Sequence, residues 1–261
     1  MSLPVIEYSE KLIAFIDVIG FREMINNLEA GSPRASEIHE ALERIKNVER
    51  ASQIPDSVAN DCTVSVFSDS IVITTKLDRV AELLWICGLL HSDLLALGVS
   101  LRGGITCGKI YHSDGIAYGA GLIAAIDLEA GSAVFPRIVL SDEVRKLAGD
   151  KHRDEISRDS GGVWYMRPLV FIPRVKGADG ETASTKDGAE FFFAQVSRHI
   201  KQNIRTAKKP NHVAKWIWLA NCFNHAAIGS DRLWGTLIPQ IDLEEGGVRG
   251  RAAKSPPPFD L

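Results

Sequence analysis

An unbroken apolar run, LIAFI at 12–16, meets the carboxylate of Asp17, and Val18-Ile19 then lead into Gly20 and Phe21. Such a short block predicts a buried strand. REMINNLEA and SPRASEIHEALERIKNVERA then repeat apolar residues every three to four positions and predict two helices, the second opened by Ser32 with Pro33 at its first position. CTVSVFSDSIVITTK holds two β-branched runs, 62–67 and 70–76, joined at Ser68-Asp69, which predicts a tight hairpin with Asp69 at its turn.

DRVAELLWICGLLHSDLLALG predicts a long apolar-faced helix closed by Gly98, and VSLRGGITCGKIYHSDGIAYG predicts strands broken by glycines. A helix over AGLIAAIDLEAGSA, a short strand RIVLS, a helix from Ser141-Asp142 and a strand region around VWYMRPLVFIPRV follow. A polar loop is expected over 177–189, helices over 190–206 and 210–228, and a mobile tail in RAAKSPPPFDL. Strands alternating with helices around one hairpin predict an α/β (α+β) sandwich, a mixed, mainly antiparallel sheet covered on one face in the ferredoxin-like manner.

The chain of 261 residues has room for one substantial domain with additions, or two small ones. A net charge of -3 argues against a mainly electrostatic grip on nucleic acid or anionic membrane. The four cysteines have no zinc-type spacing, and His39, His91, His112, His199 and His225 have no ligand spacing. His91 and Asp93 interrupt the longest apolar stretch, and Glu7, Glu10 and Lys11 precede the first, so neither a spanning helix nor a signal peptide is expected. The expected location is cytoplasmic, in a reducing environment.

Burying an unpaired carboxylate costs several kcal/mol, so Asp17 must reach water or hold a cation. If the two strands are neighbours, Asp17 and Asp69 converge. A carboxylate pair suits a hard cation such as Mg²⁺, which commonly takes one or two protein carboxylates plus substrate phosphates. The glycine after Asp17 leaves backbone amides for phosphate oxygens.

Phe15, Asp17, Gly20 and Phe21 form F-x-D-x-x-G-F, and with the hairpin Asp69 this resembles the class III nucleotidyl cyclase catalytic domain. The resemblance covers about 12–193, so 1–193 is expected as a catalytic domain of ferredoxin-like class III cyclase fold and 194–261 as a helical extension. It implies two Mg²⁺ or Mn²⁺ ions at Asp17, Val18 and Asp69, with nucleotide contacts at Ile19, Gly20, Phe21 and Lys176. Ser68 stands where the family usually has glycine.

Two departures concern the chemistry. Ile123 and Asp127 occupy the places of the family's transition-state Asn and Arg, so Arg102 and Arg137 either replace the arginine as catalytic residues or merely pair with acids. Ser65 and Ile116 replace the lysine and aspartate that read adenine. RGGIT-x-G, YGAGLIAAIDLE and A-x-FPRIVLS together resemble the pyrimidine cyclases of bacterial Pycsar anti-phage systems. The implied reaction converts UTP, or alternatively CTP, to the cyclic nucleotide in a homodimer with composite sites. A silent nucleotide-binding module is the rival. A diguanylate-cyclase-like enzyme would need Gly-Gly before its hairpin acids, where Val66-Phe67-Ser68 stands.

Overall fold

The computed structural model describes residues 8–29, 35–51, 61–171, 175–176, 182–183, 186–228, 230 and 236–243. Its strands are β1 (Ser9–Ile19), β2 (Thr63–Phe67), β3 (Ser70–Thr75), β4 (Ser100–Ser113), β5 (Ile116–Tyr118), β6 (Ile138–Leu140), β7 (Ile156–Arg158), β8 (Trp164–Met166), β9 (Val175–Lys176) and β10 (Thr182–Ala183). Its helices are α1 (Phe21–Glu29), α2 (Ala35–Ala51), α3 (Val80–Ala96), α4 (Ala120–Ser132), α5 (Asp142–Ala148), α6 (Lys186–Thr206) and α7 (Pro210–Ala227). The main sheet runs β2-β3-β1-β4-β6-β8-β7 and is antiparallel except at β4 and β6; β5 folds back on β4.

The first apolar run lies in the middle of this sheet, which explains why nearly every residue in it is apolar. Leu12, Ala14, Ile16 and Val18 enter a core with Ile45, Leu83, Leu84, Leu90 and Val144 from α2, α3 and α5. Ile13 points to the opposite face and packs with Ile110 and with Ala125 of α4. Complete burial of each such Ile or Leu contributes about 1.5–3 kcal/mol. The expected α/β sandwich with a mixed, mainly antiparallel sheet is present, but helices cover both faces, not one.

The second face is shared. Beside α4, the helices α6 and α7 bury Phe192, Phe193, Trp218 and Phe223 in a second core that includes Val139 of β6 and Tyr165 of β8. The apolar stripe beginning at Trp216 is therefore a packed helix face. Helix α6 starts earlier than the expected polar loop allows and runs unbroken through position 193, placing the two last helices in contact with the sheet strands.

The glycines of RGGITCG do not break the strand as expected; β4 is continuous through 14 residues. They are required by how closely α4 approaches. A Cβ on Gly104 would meet the Ala125 carbonyl oxygen at 2.5 Å, and one on Gly108 would meet the Gly121 Cα at 2.8 Å. The Thr106 hydroxyl donates to the Gly121 carbonyl at 3.1 Å and pins the same joint. Of the VWYMRPLVFIPRV region, Trp164–Met166 is strand, paired with an additional strand at Ile156–Arg158 that the apolar pattern is too short to reveal, and Val175 begins β9. The Ser32-Pro33 helix start, most of the loop 177–189 and the tail RAAKSPPPFDL lie outside the described residues.

Candidate active site

Asp17 is the next-to-last but one residue of β1, opposite Ser70 of β3 on one side and Arg102 of β4 on the other. Its side chain is only 19% exposed. The β2–β3 hairpin is tied to it through the backbone: the Val18 amide donates to the Asp69 carbonyl at 2.9 Å. Ser68 holds the turn at φ +58, a left-handed conformation that glycine adopts without strain. Strand end and hairpin turn thus bring the backbone of Asp69 against Val18, the residue after Asp17.

The cation that Asp17 holds here is a guanidinium. Arg102 Nε donates to Asp17 Oδ2 at 2.9 Å, and Glu129 Oε1 of α4 lies 2.7 Å from the same nitrogen. That nitrogen carries one hydrogen, which is directed to Asp17, so Glu129 Oε1 receives charge without a hydrogen bond. Glu129 is only 5% exposed, and burial pushes its carboxyl up against the opposing pull of Arg102. Lys215 of α7 completes the group: burial and Arg102 push its ammonium down, while Glu129 and Asp17 hold it up.

Asp17 and Arg102 sit at one side of a cleft of about 680 Å³ between the ends of β1 and β4 and the α6–α7 connection, which Lys215 lines from α7. Ile19 and Gly20 also line it, and Gly20 turns the chain into α1 at φ +79. Val18 is buried and Phe21 packs on the first core, so each borders the cleft through its backbone neighbours. Asp69 is not among the lining residues; it lies across β1 from Arg102.

Other residues singled out from the sequence are elsewhere. Arg137 is in the core, not in the cleft, where only its neighbour Pro136 appears. It donates to Asp159 Oδ2 at 2.6 Å and to the Ser132 carbonyl at 3.1 Å, and its guanidinium lies 5.0 Å from the Tyr165 ring centre. Ser65 is buried against His112 Nε2 at 2.9 Å, and His112 Nδ1 reaches the Thr74 hydroxyl at 2.8 Å. Burial pushes His112 down to about 4, so the ring is neutral in this relay. Ile116 is 56% exposed on β5, away from the cleft lining. Lys176 is on β9, opposite Thr182, and its side chain lies outside the described residues.

Sequence reasoning passed over Glu129 and the basic residues around the α6–α7 connection. Gly121, Ala125 and Glu129 recur every four residues, so the pattern already placed a carboxylate on the buried stripe of α4. Asp17 and Asp69 carry oxygen donors, the kind a hard divalent cation takes, but the Asp17 carboxylate is engaged by Arg102 and Asp69 does not line the cleft. Among the described residues no cluster of three or more His, Cys, Asp or Glu side chains gathers for a metal.

No protein-family model matches the chain, and no curated protein is similar to it. Solved structures with related folds include the monomeric guanylyl cyclase domain of the RhoGC fusion protein from the aquatic fungus Blastocladiella emersonii, at 9% identity and TM-score 0.43, over 61% of this chain and 95% of that one. A bacterial light-regulated adenylyl cyclase aligns at 12% identity and TM-score 0.46, over 74% of this chain and 59% of that one. An adenylate/guanylate cyclase/hydrolase from Silicibacter pomeroyi aligns at 19% identity and TM-score 0.43, over 62% of this chain and 98% of that one.

Proposed function

We propose that the protein is a nucleotide cyclase that converts UTP to 3′,5′-cyclic UMP and pyrophosphate, a second-messenger synthase of the Pycsar kind in bacterial anti-phage defence. The observation that carries the reading is Asp17 at the end of β1 with the Asp69 hairpin bonded to the next residue, within the F-x-D-x-x-G-F sequence. The ribose 3′-hydroxyl attacks the α-phosphorus; a new phosphorus–oxygen bond forms, the bond to the pyrophosphate oxygen breaks, and the hydroxyl proton passes to water. Two Mg²⁺ or Mn²⁺ ions held by Asp17 and Asp69, with Val18 between them, would supply Lewis-acid stabilisation of the attacking and leaving oxygens.

The chain's own residues do the rest. Gly20 opens the backbone at the start of α1, where amides of the first turn can donate to phosphate oxygens. Glu129, already 2.7 Å from Arg102 Nε, holds the guanidinium when Asp17 is engaged by cations, keeping Arg102 at the cleft as the candidate for charge stabilisation. The pyrimidine choice rests on the Pycsar-like segments and on Ser65, whose hydroxyl is committed to His112 instead of supplying a lysine's charge to a purine. CTP is the alternative substrate. A cytoplasmic homodimer with shared sites is supported by the apolar residues that α4 and β5 leave exposed, Ile116, Tyr118, Ile123 and Ile126.

One observation favours a second reading. Asp17 is already neutralised by Arg102, and Ile123, in the place of the family's asparagine, is 61% exposed; a binding module without turnover would have this arrangement. Incubation of the pure protein with all four nucleoside triphosphates and Mn²⁺, with products identified by mass, separates the readings. Cyclic UMP that disappears in Asp17→Asn and Asp69→Asn supports the cyclase; cyclic AMP or cyclic GMP as main product refutes the base, and no product with retained nucleotide binding supports the module.

A further inference from the structure

The wall of the cleft facing Asp17 is built by the two C-terminal helices, the part of the chain outside the cyclase resemblance. Arg102, Lys208, Lys209 and Lys215 line the cleft against the carboxylates of Asp17 and Glu23. Four basic side chains against two acids is a local excess of positive charge in a chain whose net charge is -3. Lys208 and Lys209 are exposed and form no ion pair among the described residues. Lys215 is half-buried and feels the charges of Asp17, Arg102 and Glu129.

We propose that Lys208, Lys209 and Lys215 are a polyphosphate-binding set, donated in cis by the α6–α7 connection, that holds the phosphate chain of the nucleotide against the Gly20 turn. The proposal rests on the cyclase reading for the identity of the nucleotide, and on the cleft alone for the phosphate. Volume and charge agree: about 680 Å³ accommodates a nucleotide-sized ligand, and the three lysines supply positive charge that Arg102, already paired with Asp17, does not. Lysines serve well here because each ammonium is a compact point charge on a flexible stem that can follow the phosphates. The arrangement makes the phosphate half of the site complete within one chain, so a partner chain is needed only for the base and ribose.

The test titrates the full chain with sodium tripolyphosphate in metal-free buffer by calorimetry, and measures KM for whichever nucleoside triphosphate is turned over. Lys209→Glu and Lys215→Met each weaken tripolyphosphate binding about ten-fold or more, and raise KM more than they lower kcat. Lys201→Glu, a matching charge change on the exposed surface of α6 outside the cleft, leaves tripolyphosphate binding unchanged. Parent-like binding and KM in both cleft variants, equal weakening by Lys201→Glu, or no binding of tripolyphosphate by the parent each overturns the proposal. If the parent binds tripolyphosphate, the cleft variants lose it, and no nucleotide is cyclised, the phosphate site stands and the cyclase reading falls. If a nucleotide is cyclised with unaltered KM in the variants, the reverse holds.

Discussion

Replacing Arg102 with Met removes the one guanidinium that Asp17 and Glu129 share, and the loss of stability should depend on pH in a way that identifies Glu129. Two unit charges about 4 Å apart interact by about 4 kcal/mol at an effective dielectric constant of about 20. The Arg102 side chain is 36% exposed, which screens that energy towards the roughly 0–1 kcal/mol of a surface pair. Glu129 is only 6% exposed at its side chain, which moves its share towards the roughly 3–5 kcal/mol lost when one partner of a buried pair is removed. An intermediate loss of about 2 kcal/mol at pH 8 is expected.

The sign follows from Glu129. Burial already raises its carboxyl, and deleting Arg102 removes a cause that lowers it, so the folded variant binds a proton that its unfolded chain has released. The variant is therefore least impaired below the ordinary carboxylate range and loses stability as pH rises through the raised value. Urea unfolding at pH 5 and pH 8, with Glu129→Gln added in the Arg102→Met background, measures this. A loss that is equal at both pH values, or no recovery in the double variant at pH 8, would refute the reasoning.

Gly104→Ala should cost about 1–3 kcal/mol in urea unfolding, because its methyl would sit 2.5 Å from a helix backbone oxygen that no side-chain rotation can move. Ser68→Gly should raise stability by about 0.5 kcal/mol or more, by relieving the left-handed φ at the hairpin turn, as read from the urea midpoint. Buried His91 and His112 are both pushed down to about 4, below the ordinary value near 6.5, so their stabilisation is complete above about pH 6.5 and is lost as pH falls towards about 4. Each contributes about 3 kcal/mol over that interval; thermal melting between pH 7 and pH 4.5 should show the fall, and His112→Asn should flatten it. Arg137→Met should cost about 3 kcal/mol by stranding Asp159, measured by chemical unfolding.

Features set by neighbouring residues were the ones legible in the sequence. The apolar run ending in Asp17, the two β-branched runs around Ser68-Asp69 and the closing Gly98 all have local patterns, and the structure has a strand, a hairpin and a helix end at those places. Features set by long-range packing were not. Arg137 looks like a surface or catalytic arginine until Asp159 and Tyr165 arrive from β7, β8 and their turn to enclose it. The glycines of β4 read as strand breaks because their reason, a helix lying against them, is contributed by another segment. The cations at 208, 209 and 215 read as a solvated connection because nothing local shows that α6 and α7 fold back beside β6 and β8.

The seating of α4 on β4 has a mechanical consequence. Where Gly104, Gly108 and Gly121 let backbone touch backbone, there is no cushion of side chains to slide or repack. Strand and helix, with Glu129 on α4 and Asp17 on the neighbouring β1, form a fixed jaw. The opposite jaw, α6 and α7, is held by ordinary interlocking of rings such as Phe193 against Phe223 and Phe135 against Trp218, contacts that can shift by small rotations. Any tightening of the cleft around a ligand is therefore assigned to the lysine-bearing side, while Asp17 and Glu129 keep their places.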